Sequence, residues 1–281
     1  SYRVPLFVNY TPLNPHNPVI HFVGIGIDQF ENSKYNLQYS TKDIRDLCEG
    51  LKGKYANNIT IDTLFNENVT IEKVKALKQK LKQTREDDKV IIAYSGHGLL
   101  SKDYDYYLST YKVNFNDPGE NGLPYEELEN LLDSIPARKK LMLIDACHSG
   151  EVDKDELAKM VVVQKQLDPT KKGVIVLADT ANKRLGMKNS FDLMQELFVN
   201  VGKSTGATII SAAAGTQFAL EKNNLKNGVF TYSILEYMQQ HEHATLSKLK
   251  KYVNSRVPEL TQGLQVPTAR NETIDVDWQV W

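Results

Sequence analysis

Two short segments of this chain end in residues that can do chemistry together. Val90–Gly98 (VIIAYSGHG) runs apolar and β-branched up to Ser95 and then delivers His97 between two glycines. Lys140–Gly150 (KLMLIDACHSG) runs the same way up to Asp145 and delivers Cys147, followed by His148, Ser149 and Gly150. Runs of this kind read as buried parallel strands, and the carboxyl ends of such strands are where open α/β sheets carry reactive groups. On neighbouring strands, His97 and Cys147 make a base and a nucleophile. The thiolate is the attacking species, and a free thiol is mostly protonated at neutral pH, so an imidazole must take or share its proton. Attack on a carbonyl creates an oxyanion that needs preorganised donors, for which the N–H groups of Gly98 and Cys147 are candidates. Gly96 and Gly98 are read as leaving the backbone open to a substrate. No side chain stands out as the group that orients His97, and a backbone carbonyl can serve.

Other chemistries fit these residues less well. A phosphatase loop of the Cys-x5-Arg kind needs Arg at position 153, which is Asp153. A serine nucleophile elbow centred on Ser95 would place the bulky His97 where a small residue is required. Cys48 lies on an apolar helix face and reads as a small hydrophobe. His148, next to Cys147, is expected to point away from the working face of the thiol, and Ser149 and Gly150 to shape the turn. The pair Asp87–Asp88 reads as a solvated turn before a strand.

Elements that can position this pair alternate along the chain. Ile20–Asp28 predicts a strand, with Gly24 and Gly26 where another backbone can approach; Thr41–Tyr55 predicts a helix with Ile44, Leu47, Cys48 and Leu51 on one face. Asn58–Phe65 predicts a strand and Thr70–Thr84 an amphipathic helix capped by Thr70. Val90–Tyr94 and Leu141–Ala146 are the two strands that end at the reactive residues, with a helix over Tyr125–Ser134 between them, Pro124 at its first position. Gly206–Ala213 predicts a fifth strand, Phe230–Gln240 and Thr245–Val257 helices, and Gln265–Arg270 a short edge strand. Repeated strand–helix–strand units predict a doubly wound α/β sandwich. Residues 1–19, with prolines at 5, 12, 15 and 18, read as an extended arm or linker, and 20–281 as one domain. Within it, 151–205 is a long connection and a candidate regulatory segment. It holds an apolar run, Val174–Ala178, and an amphipathic one, Phe191–Val201.

Composition narrows the class of partner. The 281 residues carry 34 basic and 35 acidic side chains, a balance that points away from nucleic acid and anionic membranes. No apolar run approaches the roughly 20 residues of a membrane span. Two cysteines make no disulfide framework and no zinc site, so a reduced, cytoplasmic setting with no metal is the expectation. The start at Ser1, without a signal-peptide pattern, reads as a domain of a longer polypeptide, expected to be a monomer or a weak homodimer.

Tyr94-Ser95-Gly96-His97-Gly98 and Asp145-Ala146-Cys147-His148-Ser149-Gly150 resemble the two catalytic motifs of the caspase-like (clan CD, peptidase C14) cysteine peptidases. Within them they are most similar to the metacaspase, paracaspase and bacterial orthocaspase branch. The likeness runs from about Ile20 to Gln240 and includes Asp105–Leu108 and Gly228–Tyr232. The resemblance implies a three-layer α/β/α sandwich around a mostly parallel sheet of about six strands, and a His97/Cys147 dyad with Gly98 in the oxyanion hole. It also implies an S1 pocket lined by Asp43, Ser95 and Asp145, hence cleavage of protein or peptide substrates after Arg, and less well Lys. Caspases that cut after aspartate carry Gln where this chain has Asp145, so cleavage after Asp is not expected.

Some relatives require calcium. This chain has no EF-hand ligand string, and Asp153, Asp155 and Glu156 form only a weak cluster, so no cofactor is assigned and calcium activation stays open. Some relatives cut themselves in the connection after the cysteine; here that segment holds Lys171-Lys172 and Lys183-Arg184, with Lys183 and Arg184 the preferred site. The alternative is a catalytically silent caspase-like scaffold or binding module, against which the intact dyad argues.

Overall fold

The computed structural model describes residues 17–101, 105–146, 171–172, 205–213, 219–271 and 277–281. Its elements run β1 (Ile20–Gly26), α1 (Ser40–Tyr55), β2 (Ile59–Phe65), α2 (Ile71–Leu81), β3 (Lys89–Ser95), β4 (Gly98–Leu100), β5 (Tyr106–Leu108), β6 (Leu123–Pro124), α3 (Tyr125–Asn130) and β7 (Lys139–Asp145). There follow β8 (Lys171–Lys172), β9 (Thr208–Ser211), β10 (Ala219–Lys222), β11 (Asn227–Gly228), α4 (Val229–Gln240), α5 (Leu246–Thr261) and β12 (Thr268–Asn271). Six strands form one mixed sheet in the order β12-β9-β7-β3-β1-β2. All its pairings are parallel except that of β12, which runs antiparallel to β9 at the edge.

Period-two alternation divides each central strand between two cores. Phe22, Ile91, Ala93, Leu141 and Leu143 pack on one face with the apolar stripes of α1, α4 and α5. Val23, Ile25, Ile92, Tyr94, Met142 and Ile144 pack on the other with α2 and α3. This parity carries past the apolar runs: Ser95 and Asp145 fall on the α1/α4 side, whereas Tyr94 falls on the α2/α3 side. The close approach expected at Gly24 and Gly26 is made by α1. A Cβ on Gly26 would lie 2.9 Å from the Ser40 carbonyl oxygen and 3.0 Å from Thr41 Cα, and one on Gly24 would lie 2.4 Å from Ile44 Cγ2.

Several expectations need correction. Pro124 does not open a helix at its first position: Leu123–Pro124 is strand β6, paired with Tyr107–Leu108. With β4 it builds a three-stranded antiparallel sheet directly after His97 that no long alternating run announces. The helix after it ends at Asn130 rather than Ser134, and the Lys78 ammonium takes up the Asn130 and Asp133 carbonyls. The last helix runs beyond Val257, through Pro258 to Thr261, because a proline in the final turn forfeits only one ladder bond. Gln265 is not in the edge strand; its buried amide accepts from Leu220 N–H and donates to the Ala212 carbonyl.

Asp88 is not a solvated turn residue. Buried at the amino-terminal edge of the sheet, its carboxylate accepts from the N–H groups of Val19 and Arg85 and contacts His21 Nε2 at 3.3 Å. Burial alone would raise its pKa, but those hydrogen bonds outweigh it and hold the carboxyl below its ordinary range. The runs Val174–Ala178 and Phe191–Val201 lie outside the described residues. Among the described residues, no helix is long and apolar enough to cross a membrane.

Candidate active site

His97 leaves the tip of β3, which is tied on both sides. Ile27 N–H donates to the Ser95 carbonyl at 3.0 Å, and Gly96 N–H donates to the Asp145 carbonyl at 3.3 Å. The imidazole is only 4 % exposed, and its Nε2 lies 2.8 Å from the Tyr35 carbonyl oxygen. A carbonyl can only accept, so Nε2 carries the proton, and in the neutral ring Nδ1 is then the basic nitrogen. The backbone carbonyl left open as an orienting group is thus that of Tyr35.

Two aromatic rings restrict the imidazole further, and a third backs one of them. Phe30 lies 5.3 Å from it, Phe115 meets it edge-on at 5.5 Å, and Phe115 stacks on Tyr35 at 3.8 Å. Contacts of this kind are worth about 0.5–1.5 kcal/mol each, enough with the hydrogen bond to favour one ring orientation. Tyr35 itself sits in a short 3-10 turn, Ser33–Tyr35, whose entrance is held by the Asn32 side chain accepting from Lys34 N–H.

Gly96 has a different reason from the one expected. A Cβ there would lie 2.6 Å from both Ile27 Cγ2 and Tyr94 Oη, so the residue is small because its neighbours fill the space. Gly98 opens β4 opposite Leu108 and is buried.

Asp43, Ser95 and Asp145 converge. Ser95 stands opposite Gly26 on β1 and opposite Asp145 on β7, and its Oγ donates to Asp43 Oδ2 at 2.9 Å. That hydroxyl is fully buried and committed to a carboxylate, which also disposes of Ser95 as a nucleophile. Asp43 is wholly buried on the first turn of α1, and its Oδ1 accepts from Gly228 N–H at 2.9 Å and Asn227 Nδ2 at 3.1 Å. Asp145, 2 % exposed, accepts at Oδ2 from Thr231 Oγ1 at 2.7 Å and Thr231 N–H at 3.3 Å. Gly228 caps α4 and Thr231 is in its first turn, so both carboxylates meet the partially positive end of one helix.

Asn227, Gly228 and Thr231 were not singled out from sequence as members of this site. For Gly228 and Thr231 the signal is the Gly228–Tyr232 run, which carried no residue roles, and Asn227 immediately precedes it. Two more carboxylates hold the entrance of α1 and so the position of Asp43. Asp28 accepts from Thr41 N–H and Oγ1, and Glu221 accepts from the N–H groups of Gln38 and Tyr39.

Cys147, His148, Ser149 and Gly150 lie outside the described residues, as do Lys183, Arg184 and the cluster Asp153, Asp155 and Glu156. β7 is described up to Asp145 and the chain up to Ala146. Lys171–Lys172 pairs antiparallel with Ala219–Leu220 of β10. Cys48 is a free, buried thiol on the core face of α1, and burial pushes it up to about 11. Among the described residues, no group of three or more His, Cys, Asp or Glu side chains is arranged to hold a metal.

Comparison with solved structures finds the same fold elsewhere. Protein GSU0716 from Geobacter sulfurreducens superposes with a TM-score of 0.64 at 18 % identity, over 92 % of this chain and 95 % of that one. Caspase-1 from Spodoptera frugiperda superposes with a TM-score of 0.57 at 14 % identity, over 94 % and 96 %. No curated protein sequence matches the chain. The family model of the caspase domain matches residues 23–278, from β1 to the last described segment. This chain therefore belongs to the caspase domain family, a family of cysteine peptidases.

Proposed function

We propose that this chain is a cysteine endopeptidase of the metacaspase-like kind, cutting after Arg, and less well after Lys, with Cys147 as nucleophile and His97 as base. The observation that carries the reading is the register of β3 and β7. Ser95 and Asp145 are directly opposite, so the two strands reach one sheet edge in step, each two residues in sequence before its reactive residue. His97 Nδ1 takes the thiol proton, the thiolate attacks the scissile carbonyl carbon, and the oxyanion is held by the N–H groups of Gly98 and Cys147. His97 then protonates the leaving amine, and water hydrolyses the thioester.

Specificity for a basic side chain rests on the Asp43, Ser95 and Asp145 cluster on the α1/α4 side of the same edge. A guanidinium offers a planar fork of donors to two acceptors and an ammonium only a compact charge, so Arg leads. An Asp side chain in that pocket would add a third negative charge, and like-charge contact costs several kcal/mol. Self-cleavage after Lys183 or Arg184 in the long connection belongs to the same reading. The test is a set of fluorogenic peptides differing only at P1, assayed on wild type and on Cys147→Ala. Turnover after Arg that vanishes in Cys147→Ala supports the reading; turnover that persists, or a preference for Asp, overturns it.

A further inference from the structure

Tyr94, one residue before Ser95, points to the opposite face of the sheet from the acids and is fully enclosed. Its hydroxyl lies 3.1 Å from the His97 carbonyl oxygen, 3.0 Å from that of Ser109 and 2.8 Å from Ser109 Oγ. Ser109, also buried, accepts from His97 N–H through Oγ at 3.1 Å and donates its own N–H to the His97 carbonyl at 2.9 Å. Donors and acceptors close into a ring. His97 N–H donates to Ser109 Oγ, Ser109 O–H donates to Tyr94 Oη, and Tyr94 O–H donates to a carbonyl of His97 or Ser109. The His97 N–H is therefore held by the Ser109 hydroxyl, and the His97 carbonyl by the Ser109 N–H with the Tyr94 hydroxyl 3.1 Å away.

The next peptide bond transmits this. The His97 carbonyl and the Gly98 N–H belong to one planar unit, no described peptide bond is cis, and in a trans peptide the two point in opposite directions. Holding the carbonyl towards Tyr94 and Ser109 aims the Gly98 N–H away from the β4–β5 ladder. Gly98 opposite Leu108 is accordingly a pair of that ladder whose N–H faces outward.

We infer that Tyr94 and Ser109 are positioning residues for the oxyanion donor: the Tyr94 hydroxyl, through the His97 carbonyl, and the Ser109 hydroxyl, through the His97 N–H and Tyr94 Oη, set the direction of the Gly98 N–H. This rests on the peptidase reading above. It also accounts for Gly96, since any Cβ there would push the Tyr94 hydroxyl out of the ring.

The experiment compares Tyr94→Phe, Ser109→Ala and the double variant with wild type. Three readouts are taken on the full chain: kcat and KM on a P1-Arg peptide, alkylation of Cys147 by iodoacetamide, and thermal unfolding. Alkylation needs the thiolate but creates no oxyanion, whereas peptide hydrolysis needs both. Removing a whole oxyanion donor costs about 10²–10³ in kcat, so a misdirected one is expected to cost about tenfold or more. The expected result is that loss in kcat, KM within about twofold, alkylation at the wild-type rate, and a double variant no slower than the worse single one. Should Tyr94→Phe fail to fold, Ser109→Ala carries the same comparison. An unchanged kcat in a folded variant, or alkylation falling in step with kcat, overturns the inference alone. Absence of any hydrolysis dependent on Cys147 in wild type removes the peptidase reading and this inference with it.

Discussion

Replacing Asp145 with Asn changes one charge and almost no volume, so its effect can be worked out from the donors around the side chain. Thr231 presents two donors to the buried carboxylate, an O–H at 2.7 Å and an N–H at 3.3 Å. An asparagine must turn its carbonyl oxygen to them, which puts its NH₂ where the second carboxylate oxygen stood. That group is a donor and meets the donors of an incoming guanidinium. The loss is one hydrogen bond to a charged partner, worth about 1.5–3 kcal/mol. At about 1.4 kcal/mol per decade this is a roughly 10- to 150-fold fall in kcat/KM for a P1-Arg peptide. A P1-Gln peptide, its side chain neutral though shorter than that of Arg, is expected to lose far less, so the ratio of the two is the readout. The assay is initial-rate kinetics on both peptides with both proteins, with thermal unfolding as the control for folding. An Arg-to-Gln ratio that stays put in a folded Asp145→Asn protein would refute the assignment of Asp145 to the pocket.

Further consequences can be checked separately. Cys48→Ala is expected to leave kcat and KM within about twofold, and iodoacetamide at neutral pH to leave Cys48 unmodified in native protein, because its thiol is buried and pushed up to about 11; kinetics read the first and peptide mapping the second. Asp88 is held below its ordinary value, so the stability it confers is complete above the unfolded carboxyl pKa of about 3.9 and is lost as pH falls through the folded one. Thermal unfolding of Asp88→Asn is therefore expected to lie below wild type at pH 7 and to converge with it in acid, and parallel curves would contradict this. Gly26→Ala places a Cβ 2.9 Å from the Ser40 carbonyl and 3.0 Å from Thr41 Cα, so the first turn of α1 must move, at a cost of about 1–3 kcal/mol. It is expected to lower the melting temperature and raise KM for P1-Arg by displacing Asp43; a variant showing neither change would speak against the close seat of α1.

What the sequence made legible was periodic or local. Phe22, Ile91, Ala93, Leu141 and Leu143 alternate with Val23, Ile92 and Met142, and that period determines the two faces of the sheet and hence the side on which Ser95 and Asp145 emerge. The helix stripe Ile44, Leu47, Cys48 and Leu51 likewise reads straight from its spacing. What stayed hidden depends on contacts far apart in the chain. The carbonyl that orients His97 belongs to Tyr35, and a backbone oxygen leaves no mark in residue type. Thr231 and Asp145 are 86 residues apart, and Asn227 and Asp43 184, so their pairing waits on the fold. Asp88 looked solvated because it neighbours Asp87, while its partners Val19 and His21 come from another strand and its approach. β4, β5 and β6 are two or three residues long, too short for a period to show.

The most direct test of the central claim is covalent labelling. Native protein is incubated with a peptidyl-arginine ketone electrophile and, in parallel, with its aspartate analogue, and adducts are mapped by mass spectrometry. One adduct is predicted, on Cys147, formed with the arginine reagent and not with the aspartate one. Labelling is also predicted to slow about 10²- to 10⁴-fold in His97→Ala, the range a positioned base contributes. An adduct on another residue, equal labelling by both reagents, or a His97→Ala protein labelled at the wild-type rate would contradict the dyad and its acidic pocket.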